Sequence, residues 1–179
     1  VYQEETKSYP GPGQANKPGA EPFSEETTEE REAKSMNIAY YPGCSLHSMA
    51  WEYDHSARLV CQSLGIVLKE IEDWSCCGTT AAHSLNHNLA VALAVRNLDI
   101  VREMGLDKVT TPCAACFNRL KTAAFELNHE GEAHQTAKVE HLLQLITTAF
   151  NTQELARKVS KSLNGLKIAA YYGCLLTRP

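Results

Sequence analysis

From residue 37 onward, short apolar runs alternate with longer stretches in which apolar residues recur every three to four positions. Runs of the first kind are typical of strands, and the longer periodic stretches are typical of amphipathic helices. The pattern predicts strands at 37–41, 66–71, 108–111 and 166–170, and helices at 46–64, 84–104, 112–127, 139–150 and 153–163. This alternation indicates an α/β fold in which a small, mainly parallel sheet is flanked by helices.

One predicted helix has a clear apolar stripe. Between residues 84 and 104, one helical face carries Leu85, Leu89, Ala92, Leu93, Arg96, Ile100 and Met104. We expect this face to pack against the sheet. Gly105 follows directly and predicts the end of the helix, because glycine is common just past a helix C-terminus.

The first 35 residues have a different composition from the rest of the chain. They contain repeated proline and glycine, eight glutamates and few large apolar side chains. Such a segment buries too little surface to offset the entropy of ordering it. We therefore predict a flexible arm or linker over 1–35, a globular domain over 36–165, and the beginning of a second, incomplete repeat over 166–179.

Charge and hydropathy exclude several classes of partner. The 179 residues carry a net charge of −4, with no basic surplus of the kind that binds nucleic acid. No apolar run approaches the roughly 18 residues of a membrane span, and the first residues lack the order of a secretory signal. We expect a cytoplasmic protein without a transmembrane segment.

A short internal repeat supports the predicted boundary between the domain at 36–165 and the incomplete repeat at 166–179. The segment 38–44 ends in Tyr41-Pro42-Gly43-Cys44, and the segment 168–174 ends in Tyr171-Tyr172-Gly173-Cys174. Each consists of an apolar strand pattern that leads into a Gly-Cys turn. The sequence thus predicts that the same local structure begins twice.

Five of the seven cysteines follow the first three predicted strands. Cys44 follows the first strand, Cys76 and Cys77 follow the second, and Cys113 and Cys116 follow the third. The carboxyl ends of parallel strands meet at one edge of a sheet, where such folds bind ligands. Grouped cysteines in a reducing compartment are typical of metal or redox sites. We therefore expect a shared site at this edge.

The number of thiolates bears on the kind of site. Five thiolates carry more negative charge than one zinc ion balances, and structural zinc usually has four ligands. Several irons with sulfide distribute that charge better, and helix N-termini near residues 79 and 112 add positive dipoles. Two alternatives stay open: a structural zinc site that uses four of the cysteines, and a thioredoxin-like dithiol at Cys113 and Cys116.

The spacing of the cysteines resembles that of a known family. Cys44 is followed after thirty-one residues by the pair Cys76-Cys77, and after thirty-five more, beginning with Gly78, by Cys113-Ala114-Ala115-Cys116. This pattern resembles the cysteine-rich CCG domain of the B subunit of heterodisulfide reductase. The local sequences 41–44, 112–116 and 171–174 are similar to that family's motifs as well. Succinate dehydrogenases and thiol-fumarate reductases of some organisms, and lactate or glycerol-3-phosphate oxidising complexes, also carry such domains.

The resemblance implies a cofactor and a function. It implies that Cys44, Cys76, Cys77, Cys113 and Cys116 bind a noncubane 4Fe-4S cluster, and that Cys174 belongs to an incomplete second site. It further implies an oxidoreductase subunit, active within a complex, that reduces a low-molecular-weight disulfide of the CoM-S-S-CoB type or relays electrons to that reaction. Electrons would come from a ferredoxin-like iron-sulfur subunit and a flavoprotein subunit. A CCG subunit of another complex, or a zinc-binding assembly module, is the alternative.

A few other residues are candidates for secondary roles. His47 and His83 each follow a cysteine loop and are candidates for proton donation to a leaving thiolate. Arg119 lies three residues after Cys116 and either meets an anionic substrate or faces solvent. Cys61 lies on the apolar side of a predicted helix, so we expect it in the core and outside the site.

Overall fold

The computed structural model describes residues 36–79, 81–129, 136–171 and 173–177. The strands are β1 (Met36–Tyr40), β2 (Ile66–Glu70), β3 (Lys108–Thr111) and β4 (Lys138–His141). The helices are α1 (Trp51–Ser63), α2 (Ala81–Leu85), α3 (His87–Glu103), α4 (Ala114–His129), α5 (Leu142–Ala149), α6 (Thr152–Lys158) and α7 (Cys174–Thr177). The arm predicted for residues 1–35 lies outside the described residues.

The four strands form one parallel sheet in the order β2-β1-β3-β4. The predicted α/β class with a parallel sheet flanked by helices is confirmed. The chain leaves β1 toward β2, and then crosses back to β3 on the other side of β1. The strand order therefore reverses between β1 and β3, and the crevice at their carboxyl ends is where open α/β sheets bind ligands.

The side chains of β1 alternate between the two faces of the sheet. Both faces therefore carry apolar side chains, and helices cover each of them. Ala39 faces α3 and α4, in a core that includes Leu98, Val101, Val109, Phe117 and Leu120. Ile38 faces α1 and α5, in a second core with Ala57, Cys61, Ile66, Leu142 and Leu145. The central strands β1 and β3 are thus buried on both sides, which gives the loops after them a rigid base.

Two predicted elements were wrong. Residues 138–141 form the edge strand β4, where a helix from residue 139 was predicted, because this four-residue strand runs directly into α5 and the two patterns merge. The strand predicted at 166–170 does not form: these residues are exposed and have no strand conformation. Apolar alternation alone does not make a strand without a neighbour to pair with.

The long helix predicted at 84–104 differs in two respects. It is divided into α2 and α3 by Asn86, whose side chain accepts a hydrogen bond from the Leu89 backbone and caps α3. Its buried face also differs from the predicted stripe. Leu85 is 85% exposed and Leu89 is 49% exposed, whereas α3 buries Ala90, Ala94, Asn97, Leu98 and Val101. Small residues and one asparagine allow α3 to approach the sheet closely.

The other predicted elements occur with shorter or shifted bounds. The helix predicted from residue 46 begins at Trp51, because residues 44–50 form turns after β1. The one predicted from residue 112 begins at Ala114. Within the described parts of the chain, none of the helices combines the length and apolar character that crossing a bilayer requires.

Candidate metal centre

The loops after β1, β2 and β3 bring the five motif cysteines together. The ring of Tyr41, directly after β1, lies close enough to four of these sulfurs to interact electrostatically with them: those of Cys44, Cys76, Cys77 and Cys116. The fifth, Cys113, is hydrogen-bonded to Cys116. Three separate loops thus converge at the crevice where the strand order reverses.

The five thiols differ in their exposure to solvent. Cys77 and Cys116 are buried, at 3% and 4% exposed, and their Sγ atoms are 3.4 Å apart. Cys113 is half-buried, and Cys44 and Cys76 are exposed. The group therefore has an inner pair against the protein core and an outer side that is open to small molecules or a partner surface.

Hydrogen bonds distribute the protons among the inner thiols unevenly. Cys116 keeps its proton, because its hydrogen bonds to Cys113 and Cys77 and its burial all raise its pKa. The hydrogen bond from Cys116 lowers the pKa of Cys113 to about 6, helped by the backbone N–H groups at the start of α4. Hydrogen bonding between Cys77 and Cys116 lowers the pKa of Cys77 to about 6, and the Thr79 hydroxyl, 3.0 Å from Cys77 Sγ, acts in the same direction.

The outer thiol of Cys76 behaves differently. The Gly78 backbone N–H lies 3.4 Å from Cys76 Sγ and lowers its pKa. Burial and the nearby sulfurs of Cys77 and Cys44 outweigh this, so the net pKa is raised. The thiols repel one another when ionised, and such a group needs positive charge to hold all of its members as thiolates.

Two glycines make this close approach of the loops possible. Gly43 has φ +75°, and a Cβ there would lie 2.8 Å from Cys116 Sγ. Gly78 has φ +79°, and a Cβ there would lie 3.0 Å from Cα of Ala90. Both positions combine a left-handed backbone with a lack of space for a side chain, so only glycine fits without a shift.

The loop that carries Cys76 and Cys77 is held from two sides through Ser75. The Tyr41 hydroxyl donates to the Ser75 carbonyl at 2.7 Å. Asn97 of α3, which is fully buried, donates to the same carbonyl at 3.0 Å and accepts from the Ser75 N–H at 2.8 Å. The backbone next to the cysteine doublet is therefore satisfied by the protein itself, without a metal.

The loop that carries Cys113 is held by the last residue of β4. His141 caps α5 by accepting from the Leu143 N–H at its Nδ1 atom, so its Nε2 atom carries the proton and donates to the Pro112 carbonyl at 3.0 Å. Burial lowers the pKa of His141, although the bond to Pro112 opposes this. A neutral imidazole thus connects the edge strand to the start of the Cys113 motif.

His47 takes part in a polar network beside the site. Its Nε2 atom is 3.0 Å from Glu70, and its ring meets that of Trp74 at 5.1 Å. Glu70 also accepts from Arg58 and Trp74. Burial alone would raise the pKa of Glu70, but the hydrogen bonds from His47, Arg58 and Trp74 lower it. The Trp74 ring contacts that of Tyr41 at 5.4 Å, which connects this network to the cysteines.

The remaining candidates have separate locations. His83 lies in α2, exposed, with its ring 6.4 Å from that of His87. Cys61 is fully buried among the α1 core residues, as expected. Cys174 begins α7 and is exposed. Arg119 lies on α4, and its Nε atom is buried without a hydrogen-bond partner among the described residues.

Sequence reasoning missed Asn97, Thr79 and His141 as supports of the site. Asn97 was hidden within an apolar helical pattern, although a polar residue among buried positions is itself a signal of a specific partner. Thr79 follows the Cys-Cys-Gly motif directly, and its hydroxyl was an available donor. His141 could not be found, because β4 itself was not predicted.

The donor set fits an iron-sulfur group better than a single ion. In the residues that the structure describes, no group of three or more histidine, cysteine or acidic side chains is arranged to hold one metal ion. Five thiols gathered from three loops, with a buried guanidinium N–H on α4 that has no partner among the described residues, suit a larger anionic core.

Comparison with known proteins finds a family model that matches part of the chain. Residues 38–121 match the CCG family model, described as a cysteine-rich domain. The 8-methylmenaquinol:fumarate reductase membrane anchor subunit of Wolinella succinogenes is 36% identical over 155 residues, which are 79% of this chain and 54% of that protein. The residues that match the family model contain all five cysteines of the group described above.

Heterodisulfide reductases are also among the relatives. The B subunit of the ferredoxin/F420H2-dependent CoB-CoM heterodisulfide reductase of Methanosarcina acetivorans is 25% identical over 158 residues, which are 79% of this chain and 52% of that protein. An Archaeoglobus profundus protein described as similar to that B subunit is 25% identical over 155 residues. The chain spans about half the length of these relatives. Residues 38–121 therefore match the CCG cysteine-rich family model, and the chain is similar to the B subunits of heterodisulfide reductases and to the fumarate reductase anchor subunit.

Proposed function

We propose that this chain is an iron-sulfur subunit of a heterodisulfide-reductase-like complex and that Cys44, Cys76, Cys77, Cys113 and Cys116 bind one noncubane 4Fe-4S cluster. The observation that carries the proposal is the convergence of these sulfurs around Tyr41 at the reversal of strand order. When bound, the cluster supplies one-electron storage next to an open surface.

The protein's own residues supply the surroundings of that chemistry. Tyr41, whose ring packs edge-on against that of Trp74, is buried beside the sulfurs, while the exposed Cys44 and Cys76 leave the outer side accessible. Gly43 keeps a side chain out of the space beside Cys116, and Gly78 lets its loop approach Ala90 of α3. The N–H groups at the start of α4 and of Gly78 donate toward sulfur and stabilise negative charge there.

The proposed substrate is a disulfide of small thiols. Its cleavage takes two electrons, supplied by a ferredoxin-like iron-sulfur subunit and a flavoprotein subunit, and releases two thiolates that take up protons. His47 fits the role of proton donor better than His83, because Glu70 orients its imidazole beside the exposed side of the cysteine group. We place this complex in the cytoplasm, and we assign the 168–174 repeat with Cys174 to a second, similar site.

The experiment is iron and sulfide analysis of the chain purified without oxygen. We expect about four irons and four sulfides per chain, estimated from one complete motif. Cys77→Ser should lose most of both, whereas Cys61→Ser and Cys174→Ser, which change cysteines outside the group, should keep them. One zinc per chain without acid-labile sulfide would reject the proposal. In the assembled complex, His47→Gln should slow disulfide reduction while keeping the iron content.

A second function is favoured by one finding. Identity is higher to the fumarate reductase anchor subunit, at 36%, than to the heterodisulfide reductase relatives, at 25%. The corresponding proposal is an electron relay within a quinol:fumarate reductase type of complex. Reduction of the cluster by a quinol, with no turnover of any small disulfide, would favour the relay over the disulfide reductase.

A further inference from the structure

Arg119 carries a buried donor that the protein leaves unused. Its Nε atom is inaccessible to solvent and has no hydrogen-bond partner in the described part of the chain. A guanidinium offers only hydrogen-bond donors and no acceptor. Two other arginines are paired: Arg58 binds Asp54 and Glu70, and Arg96 binds Asp73. A buried cationic N–H without an acceptor is costly, and the cost indicates an anion that completes it.

The position of Arg119 on α4 relates it to the inner cysteines. It lies one turn after Cys116 and four residues after Ala115, and helical side chains lean toward the helix N-terminus over the preceding turn. The Ala115 carbonyl is 3.5 Å from the Thr79 hydroxyl, which in turn is 3.0 Å from Cys77 Sγ. This face of α4 therefore borders the side of the site that holds Cys77 and Cys116.

The nearby acid on the same helix face is already engaged. Glu126 lies two turns after Arg119, and its carboxylate is 3.5 Å from Nε2 of His87. One turn before Arg119 on the same helix lies Cys116, one of the proposed cluster ligands. A cation at that position would offset part of the negative charge of a bound cluster.

We infer that Arg119 is the counter-cation of the cluster and that its Nε–H donates to the anionic iron-sulfur core on the side of Cys77 and Cys116. The inference rests on the proposed function only in requiring that a cluster is bound. It assigns Arg119 a role in setting the reduction potential. Positive charge stabilises the more negative, reduced state, so loss of Arg119 should make reduction harder.

The test is a redox titration of the full chain, isolated with its cluster and followed by electron paramagnetic resonance. Arg119→Gln should shift the midpoint potential to more negative values. Lys121→Gln is the matched control: it removes a positive charge from the same helix, but Lys121 is exposed and lies over the Phe117 ring. The control should leave the potential unchanged. Arg119→Lys, which keeps the charge and loses Nε, should give a smaller negative shift.

Each outcome decides one claim. A wild-type chain without iron and sulfide would reject the proposed function. If Arg119→Gln binds its cluster and has the wild-type potential, the role of Arg119 is overturned. The same holds if Lys121→Gln shifts the potential by the same amount. Neither result affects the proposed function. Loss of iron from a variant with unchanged circular dichroism would support that role. If Arg119→Gln does not fold, an Arg119→Lys potential equal to that of the wild type would overturn it.

Discussion

The two Gly-Cys turns of this chain have similar sequences and different structures. Before Cys44, the strand β1 lies in the middle of the sheet, with Ile38 2% exposed and Tyr41 fully buried. Before Cys174, the corresponding residues form no strand, and Ile168 and Tyr171 are 73% and 98% exposed. The same local pattern thus gives an ordered turn where neighbouring strands cover it, and an exposed segment where none does.

This comparison shows that the surroundings of a Gly-Cys turn, and not its local sequence alone, determine its structure. At the first turn, β2 and β3 pair with β1 on both sides, and Tyr41 interacts electrostatically with sulfurs from three loops. At the second, α7 packs on α4 through Leu176, but Cys174 itself stays exposed. A cysteine in the right motif becomes a candidate ligand only when the sheet edge brings other sulfurs to it.

The largest expected effect comes from adding a methyl group at the first turn. Gly43→Ala puts a side chain on a left-handed backbone position and places its Cβ 2.8 Å from Cys116 Sγ. Either the turn or the Cys116 side chain must then move, which separates the sulfurs of the group. We expect iron content to fall from about four per chain to near zero. Iron and sulfide analysis of the anaerobically purified variant measures this.

Gly173→Ala is the matched control at the second turn, where a Cβ would meet no atom within 4 Å. It should keep the full iron content. Equal iron in the two variants would contradict the difference drawn between the turns.

An intermediate effect is expected from the tyrosines. Tyr41→Ala removes a fully buried ring and should lower the free energy of unfolding by about 3–5 kcal/mol, as other large aromatic truncations do. Tyr41→Phe loses only the hydrogen bond to Ser75 and should cost about 1 kcal/mol. Tyr171→Ala, on an exposed side chain, should stay within about 0.5 kcal/mol of the wild type. Urea unfolding followed by tryptophan fluorescence gives all three values, and a large loss in Tyr171→Ala would show that the second turn is packed in solution.

The smallest effect concerns pH and the loop that holds Cys113. The folded pKa of His141 is lowered, so below about pH 6.5 the unfolded chain takes up a proton that the folded chain does not. The stability that neutral His141 contributes is therefore present at pH 7 and declines as the pH falls. The difference in unfolding free energy between the wild type and His141→Asn should narrow from pH 7 to pH 5.

His55→Asn, on the exposed side of α1, is the control for the pH series. Its difference from the wild type should stay small at both pH values. A constant His141→Asn difference across this range would mean that the pKa of His141 is the same in the folded and unfolded states, contrary to its burial.

The location of the site could be predicted from the sequence because it depends on strand ends. Apolar runs placed three strands correctly to within about one residue, and the parallel arrangement then brought Cys44, Cys76 and Cys113 to one edge. Cys61 was also assigned correctly to the core, since its helical position alone places it on the buried face.

What could not be predicted depends on contacts between distant residues. β4 is four residues long, contains Lys138 and Glu140, and is a strand only because β3 pairs with it. Asn97 binds the backbone of Ser75, twenty-two positions earlier, and no local pattern indicates such a partner. The strand predicted at 166–170 was wrong for the opposite reason. The segment has the apolar pattern of a strand, but no strand in the described part of the chain pairs with it.

The hydrogen bonds that Asn97 and Tyr41 make to Ser75 have a consequence for how the protein matures. The backbone beside the cysteine doublet has protein partners for its hydrogen bonds, so under the proposed function we expect the chain to fold first and to receive iron and sulfide afterwards. The apoprotein should therefore be folded, in contrast to small zinc domains that stay unfolded until their metal arrives.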